Sequence, residues 1–600
     1  MSGSFHQKKI KEMLEAGLRH HQSGRLQEAE ELYRHVLAAD FQQADALHLL
    51  GVIAHQVGQS AVAVEMIGKA LEIREDPVYH FNLGIFLQEL GRLDEAILAY
   101  NAAICLKPNY PEAYSNLGVS LKSIGQLNEA IAAYKTAIFL KPDHAIAHFN
   151  LATCLKDMKC LNEAVAAYNT AIHFKPDFAD AYFYLGLSLY ELGRFHEAVA
   201  TYNSVIALRP DFAEAYSNLG LALHKLGRLH DAVAAYNKAI RFNVALAAIH
   251  FNLGRSLQEL GRISDAIAAY NAAIELDDHF AEAHTALGTA LLLTGDFSHG
   301  WKEYEWRLQL ARKQEEPIKF FKPQWRGESL VGRTILLHAE QGLGDTIQFC
   351  RYTSLVAQSG GYVLLAVPRS LLRLLSGLKG VDRLIAEDDP LPSFDVHCSL
   401  MSLPLVFGTR IDTIPARFPY LSAKPDTISK WRDKLGDKTR LRIGLVWNGG
   451  FRPNQPELHA VNARRNIHFS IVSQLNQPHI DFFSLQKGEP AESGLIASRE
   501  ALWPENNFHN IANEIDDFED TAGIMESLDL VISVDTATAH LAGAIGKPVF
   551  MLNRFDTCWR WLEHRQDSPW YPTLRLFRQT ERGVWSDVIY SVKTAMAQIG

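Results

Sequence analysis

The 600-residue chain is poor in sulfur. Its six cysteines, Cys105, Cys154, Cys160, Cys350, Cys398 and Cys558, are scattered and form no C-x-x-C pair. That excludes a zinc ribbon or a disulfide framework and fits reduced thiols in a cytoplasm. No apolar run reaches the roughly 18 residues that a membrane-spanning helix needs. The opening stretch, S-G-S-F-H-Q-K-K-I-K-E, lacks the apolar core of a secretory leader, so a cytoplasmic protein of a bacterial kind is expected. There is no basic block, and the formal charge is -9, which argues against a nucleic-acid partner. No Asp-x-Asp motif stands where a metal would hold a diphosphate, so no metal and no bound cofactor are expected. What is present is an ordinary soluble composition, 48% hydrophobic and 21% charged. A chain of this length is expected to divide into two to four domains.

The first half is a repeat. A glycine or its substitute recurs at Gly24, Gly58, Gly91, Gly125, Lys159, Gly193, Gly227, Gly261 and Gly295, with gaps of 34 residues and a single gap of 33. One copy shows the pattern in Leu83-Gly84, Gly91-Arg92, Glu95-Ala96, Tyr100, Ala103 and Pro108. Period and residues together are identified as the tetratricopeptide repeat, two antiparallel helices per unit with small residues where they cross. Stacked copies are expected to form an all-α superhelix with a concave groove over residues 8–297. A second ladder, Asn82, Asn116, Asn150, Asn218 and Asn252, runs one repeat apart, with Tyr184 interrupting it. Side-chain amides donate and accept, so such a ladder can grip an extended peptide backbone; it can equally bond neighbouring helices. Residues 298–332 then carry Trp301, Tyr304, Trp306 and Arg307, which read as a capping helix over the last repeat and a linker.

The second half changes period. A strand from Thr334 runs into Glu340-Gln341-Gly342-Leu343-Gly344-Asp345 and a helix from about Thr346. A dinucleotide fingerprint needs a third glycine near Ile347 and an acid at the end of the next strand; neither is present, so a nicotinamide enzyme is disfavoured. Apolar strands near Tyr362–Val367, Leu384–Ala386 and Val396–Leu400 complete a first lobe over 333–425. A second lobe, 440–600, opens at Leu441–Trp447 and continues through Asn448-Gly449-Gly450 to a polar loop with Asn462, Arg464 and Arg465. Arginines after a glycine turn suit a diphosphate, or a solvated loop. The strand Asp481–Leu485 ends in Gln486-Lys487, and Asp520-Thr521 either caps a helix or reaches a ribose. The stretch Leu528–Phe550, L-D-L-V-I-S-V-D-T-A-T-A-H-L-A-G-A-I-G-K-P-V-F, reads as a buried strand, a turn, a small-residue helix and the next strand. Backbone N–H groups at that helix start attract phosphate. Asp535 or Thr536 can also act merely as a helix cap.

The Asp535–His540 run resembles the nucleotide-sugar signature of the heptosyltransferase family, and the Gly-Asp at Gly344-Asp345 matches that family's first lobe. The overall plan is similar to that of the O-linked N-acetylglucosamine transferases. The resemblance implies a two-lobe, Rossmann-like α/β domain of the GT-B type after the repeats, with the closing helix (about Val584–Ile599) crossing back onto the first lobe. It implies a catalytic base at Asp345 and a donor site including Gly342, Gly344, Gln486, Lys487, Asp535, Thr536, Ala537 and Thr538. His540 is a second catalytic candidate, or a core histidine. The function expected is an inverting, metal-independent glycosyltransferase. It would move a sugar from a nucleotide-diphosphate donor to a polypeptide held by the repeats. The alternatives are a non-catalytic interaction scaffold and a transferase for a glycan or lipid acceptor.

Overall fold

The computed structural model describes residues 2–243, 245–313, 322–415, 418–450 and 459–599. Part of the linker (314–321) and most of the polar loop ahead of Asn462 (451–458) lie outside the described residues. By its contacts the chain forms two compact units, Met1–Val244 and Ala245–Gly600. That division falls inside the repeat array, whereas the sequence pattern changes only after Gly295.

In the first unit the described helices run in pairs, from Ser2–Gln22 with Leu26–Ala39 to Ala213–Lys225 with Leu229–Phe242. Where a first helix carries a glycine at the crossing, it is there for packing; Ala152 takes the place in Ala145–Asp157. A Cβ at Gly84, Gly118, Gly186 or Gly220 would lie 2.5–2.6 Å from the ring of Tyr100, Tyr134, Tyr202 or Tyr236. Each tyrosine is therefore seated in the gap a missing side chain leaves, and all four rings are buried. The turn inside each pair takes a left-handed residue, with φ from 72° to 81° at Gly24, Gly58, Gly91, Gly125, Gly193 and Gly227. Lys159, which replaces glycine in the fifth copy, adopts the same conformation at φ 62°.

The second unit opens with two more pairs, Ala247–Glu259 with Ile263–Leu276 and Ala281–Thr294 with Phe297–Tyr304. Gly254 and Tyr270 repeat the same packing. The expected capping helix does more than cover the last repeat. Trp306 stacks on His284 at 4.0 Å, and Trp301 donates its indole N–H to the Thr409 carbonyl at 2.9 Å. Trp301 also meets Trp559 and Trp570 edge-on. Within this unit the last repeats and the α/β part are thus packed together.

Two parallel sheets follow. The first contains β1 (Thr334–His338), β2 (Tyr362–Val367), β3 (Arg383–Ala386) and β4 (Val396–Ser399), in the order β3-β2-β1-β4. The second contains β5 (Leu441–Val446), β6 (Ile480–Ser484), β7 (Phe508–Asn510), β8 (Leu530–Val534), β9 (Val549–Asn553) and β10 (Leu574–Arg578). Its order is β10-β9-β8-β5-β6-β7, again all parallel. The central strands β8 and β9 are buried along their whole length, as expected of strands covered on both faces. In each sheet the winding reverses beside the first strand, between β1 and β4 and between β5 and β8. Ligands of open parallel sheets sit outside the carboxyl ends at such reversals. Glu340–Asp345 follows β1, Trp447–Gly450 follows β5 and Asp535–Thr538 follows β8, so both expected signatures stand at these mouths.

One expectation is corrected. The closing helix, Ser586–Met596, stays on its own sheet. Trp585, Val588, Ile589, Val592 and Met596 join one core with Ile480, Phe482, Leu530 and Phe577, because the second sheet's apolar face needs that cover. Among the bonds that do link the lobes, Arg373 pairs with Asp517 at 3.2 Å and Asp520 at 3.3 Å, and Arg351 donates to the Trp570 carbonyl at 2.9 Å.

Candidate active site

The loop after β1 leads into the helix Leu343–Phe349. Asp345 sits in its first turn, and both carboxylate oxygens are engaged. Oδ2 accepts the Gly342 N–H at 2.9 Å, a capping bond, and Oδ1 pairs with the Arg560 guanidinium. Arg560 is buried, lies over the Trp559 ring at 4.3 Å and donates to the Cys558 sulfur at 3.1 Å. Burial alone would lower its pKa; Asp345, with Cys558 and Tyr304, more than offsets this and holds it above the usual arginine value. Nothing in the sequence marks Arg560 as the partner of an acid 215 positions away.

The helix after β8, Ala537–Ala544, packs directly on the Leu343–Phe349 helix. A Cβ on Gly344 would lie 2.8 Å from His540 Cδ2 and 3.4 Å from Ala537 Cα. The two signatures, about 190 residues apart in the chain, thus meet at Gly344 and His540. Asp535, Thr536, Ala537 and Thr538 are part-exposed, while everything from Ala539 to Ala544 is buried. Thr536 is the N-cap residue, yet its side chain makes no capping bond and its Oγ1 lies 3.0 Å from Ser533 Oγ. Simple capping therefore does not account for the threonine, and the helix's first N–H groups have no partner within the helix. His540 shares a hydrogen bond with the Tyr571 hydroxyl at 2.9 Å, stacks on Trp561 and has Nε2 3.8 Å from Asp535 Oδ1. Burial pushes its pKa down to about 4, so at neutral pH the imidazole is uncharged. A buried ring packed in this way orients its neighbours, with Nε2 near the part-exposed Asp535 carboxylate.

The arginines divide. Arg465 donates to the Asp535 carbonyl at 2.9 Å and crosses Gly449, where a Cβ would sit 2.1 Å from its Nε. It thereby ties the β5 loop to the β8 loop. Arg464 turns the other way, to Asp556 at 2.9 Å and Glu259 at 3.4 Å. Gln486 is buried and accepts the N–H groups of Trp447 and Asn448 at 3.0 and 2.8 Å, so it shapes the β5 loop from beneath. Lys487 donates to the Ile515 carbonyl. Asp520 does not cap the helix. It is buried and accepts from Lys430 and the Trp431 indole, both at 2.9 Å, while Asp517 caps the helix.

Beside these loops lies a cavity of 460 Å³. One wall is Phe251, Arg255 and Thr289 of the last repeats; the other is Phe555, Cys558 and Trp559, next to Arg560. Of the asparagine ladder, Asn252 belongs to this unit and Asn82, Asn116, Asn150 and Asn218 to the first; all five are part-exposed. Asn82 is 2.8 Å from His48, the residue one repeat earlier, and Asn116 bonds the Tyr100 hydroxyl, so these two rungs also brace their neighbours. Among the described residues no group of three or more His, Cys, Asp or Glu side chains is placed to hold a metal ion. Nor is any helix among them long and apolar enough to cross a membrane.

Comparison with known proteins agrees with the first half. The family described as TPR repeat matches residues 87–125, 120–158, 155–193, 186–227 and 254–295, and further tetratricopeptide repeat families match 44–77 and 213–243. These segments are tetratricopeptide repeats, whose role is to present surfaces to protein or peptide partners. A curated relative, Protein FlbA of Caulobacter vibrioides, is 27% identical over 327 residues, 50% of this chain and 52% of the relative. The chain thus spans about half the length of the curated relative it matches. Among solved structures, YrrB, a TPR protein, is 21% identical over 31% of this chain and 95% of its own, with a TM-score of 0.29. A MamA protein is 30% identical over 28% and 91%, with a TM-score of 0.27. The C-terminal part of a repeat protein from Cytophaga hutchinsonii is 16% identical over 40% and 99%, with a TM-score of 0.36.

Proposed function

We propose that this repeat protein uses its α/β half as an inverting, metal-independent glycosyltransferase, moving a sugar from a nucleotide-diphosphate donor to a polypeptide. The observation that carries the reading is the meeting of the Gly342–Asp345 and Asp535–His540 loops at Gly344, each at the mouth of a parallel sheet. The second sheet supports it. Read as β7-β6-β5-β8-β9-β10 it has the order of a doubly wound, Rossmann-like nucleotide-binding sheet, and the two sheets together suit a GT-B arrangement. The donor diphosphate would lie on the N–H groups of Ala537 and Thr538, with Arg465, which reaches the Asp535 carbonyl, and Arg560, which reaches Asp345, as its guanidinium partners. An acceptor hydroxyl attacks the anomeric carbon, the bond to the diphosphate oxygen breaks, and the hydroxyl proton passes to the Asp345 carboxylate. Nucleoside diphosphate leaves with the bonding electron pair, its charge met by the helix start and the arginines. For Asp345 to accept the proton, Arg560 moves from it to the incoming diphosphate. The cavity between the last repeats and Trp559 would seat a polypeptide beside the segment that carries Arg560, the partner of Asp345.

A second reading is favoured by one observation: both Asp345 oxygens are bonded within the protein, as they would be in a scaffold that has lost its chemistry. A thermal-shift screen of nucleoside diphosphates and their sugars decides between them. Stabilisation by one nucleotide class, lost in Asp535→Ala/Thr536→Ala, supports the transferase. No stabilisation by any of them returns the α/β half to the scaffold reading.

A further inference from the structure

Resting on that reading, we infer that Arg307, at the end of the repeat array, is a positioning residue for the loop that carries Asp345. Arg307 opens the short helix Arg307–Lys313 after the last repeat pair, and its guanidinium is buried. Nε and Nη2 bind the two oxygens of Glu340 at 2.9 Å each; Nη1 binds Glu305 at 2.9 Å and the Tyr304 carbonyl at 3.2 Å. Nη2 also donates to Ser402 at 2.9 Å. Each acid is held from its far side as well. Ser399, the last residue of β4, donates to Glu340, and Ser402 and Gln324 donate to Glu305 at 2.7 and 2.9 Å. The next residue of the loop is gripped from the end of the preceding helix, since the Gln341 amide donates to the Tyr304 hydroxyl at 3.1 Å. Gln341 has φ 64°, a left-handed conformation that a side chain adopts only under constraint.

Residues 340 and 341 are therefore clamped by Tyr304 and Arg307 immediately before Gly342, Gly344 and Asp345. Geometry at the mouth of the first sheet is dictated from the repeat side. A planar guanidinium can bind Glu340 with two parallel bonds; a lysine ammonium cannot. A purely structural pair would hold the sheet and leave the loop indifferent. A positioning pair makes loop order depend on the fork.

The test uses full-length Arg307→Lys, which keeps the charge, and Tyr304→Phe, which removes only one hydroxyl. Backbone hydrogen exchange is read at residues 341–347, with β6 and β8 as internal controls, alongside nucleotide binding by UDP, GDP, CDP and ADP. The expected result is about a tenfold rise in exchange confined to 341–347 in Arg307→Lys, and a smaller rise in Tyr304→Phe. Nucleotide affinity stays within about twofold, and turnover of the donor sugar falls at least tenfold without a change in its KM. Unchanged exchange at 341–347 in both variants overturns the inference. So does a rise spread over the whole first sheet with earlier melting, because that is the behaviour of a fold prop. If no nucleotide binds the wild type, the transferase reading fails, and the exchange measurement still decides whether Arg307 sets the loop.

Discussion

Gly344→Ala is the sharpest single test of the candidate site. The added methyl carbon would stand 2.8 Å from His540 Cδ2 and 3.4 Å from Ala537 Cα, where carbon–carbon contacts are comfortable at about 3.5–4.0 Å. Relief requires a shift of roughly 1 Å, and His540 is poorly placed to give it. Its ring is stacked on Trp561 with centroids 5.2 Å apart, and its Nδ1 is tied to Tyr571. The helix starts must separate instead. Overpacking of this kind costs about 1–3 kcal/mol, a few degrees in the melting of the Ala245–Gly600 unit. The larger effect is on geometry, since the same separation moves Asp345 away from Asp535–Thr538. Nucleotide-dependent stabilisation should therefore fall by more than the loss of stability explains. Gly494→Ala, in the helix Ala491–Leu502, is the control: among the described residues no atom lies within 4 Å of its added carbon, and it should neither lower the melting temperature nor change the nucleotide shift. Calorimetry with and without nucleotide reads both. If Gly344→Ala melts with the wild type and keeps its full nucleotide shift, the contact is not what holds the two loops in register.

Lys159→Gly should raise the stability of the first unit by about 0.5–1 kcal/mol. It removes a left-handed lysine at φ 62°, less the small value of an exposed pair with Glu191. Earlier urea unfolding would refute the strain. Asp345→Asn keeps the capping bond to Gly342, so donor binding should persist while sugar transfer falls at least a hundredfold; near-normal turnover would make the aspartate structural. His540 has a folded pKa near 4 against about 6.5 unfolded. The unfolded chain therefore binds the extra proton, and up to about 3 kcal/mol of stability is lost as pH falls from 6.5 to 4. The melting-versus-pH slope of the second unit should flatten over that window in His540→Gln, with His338 supplying the remainder, and an unchanged slope would refute the assignment. Alanine at Asn150, Asn218 and Asn252 together should weaken a long protein acceptor several tens-fold, at about 1 kcal/mol for each lost bond, and spare a short one. Parallel losses on both acceptors, with earlier melting, would make the ladder structural.

The repeats were legible because every position is stated many times over. The 34-residue period locates each turn, and even the one non-glycine turn, Lys159, stands where the period puts it. The apolar strands were legible for a related reason, since a strand covered on both faces leaves an unbroken apolar run. What did not show is what depends on partners far apart in sequence. β7 is three residues long, with only Phe508 fully buried, too short to carry a pattern. The pairing of Asp345 with Arg560 and of Arg307 with Glu340 has no local signature, because a single arginine reads the same whether solvated or buried. Gln486 stands at the expected strand end, and its side-chain oxygen accepts the N–H groups of Trp447 and Asn448, a pairing that no local pattern announces. A glutamine side chain is as well suited to a loop's own N–H groups as to a base, and only the packing around it decides. The compact-unit boundary near residue 244 was likewise invisible, as the repeat pattern runs through it unchanged.

The composition of the Asp535–His540 signature now has a physical cause on each side of one position. From Ala539 onward its small residues are set by packing. Gly543 has the Tyr571 ring where a Cβ would be, at 2.5 Å, and Ala539, Ala542 and Ala544 are wholly buried. Ala537 already belongs partly to this class, since it faces Gly344. Larger residues here would force the two helices apart whatever the protein does. Asp535, Thr536 and Thr538 are different: they are part-exposed, and the threonine at the N-cap makes no capping bond with its side chain. A fold needing only a helix at this point would be served by any residue that caps it. Polar side chains standing at the mouth of β8, with the helix's first N–H groups beside them, are what the packing does not explain. That unexplained remainder is where a ligand would act.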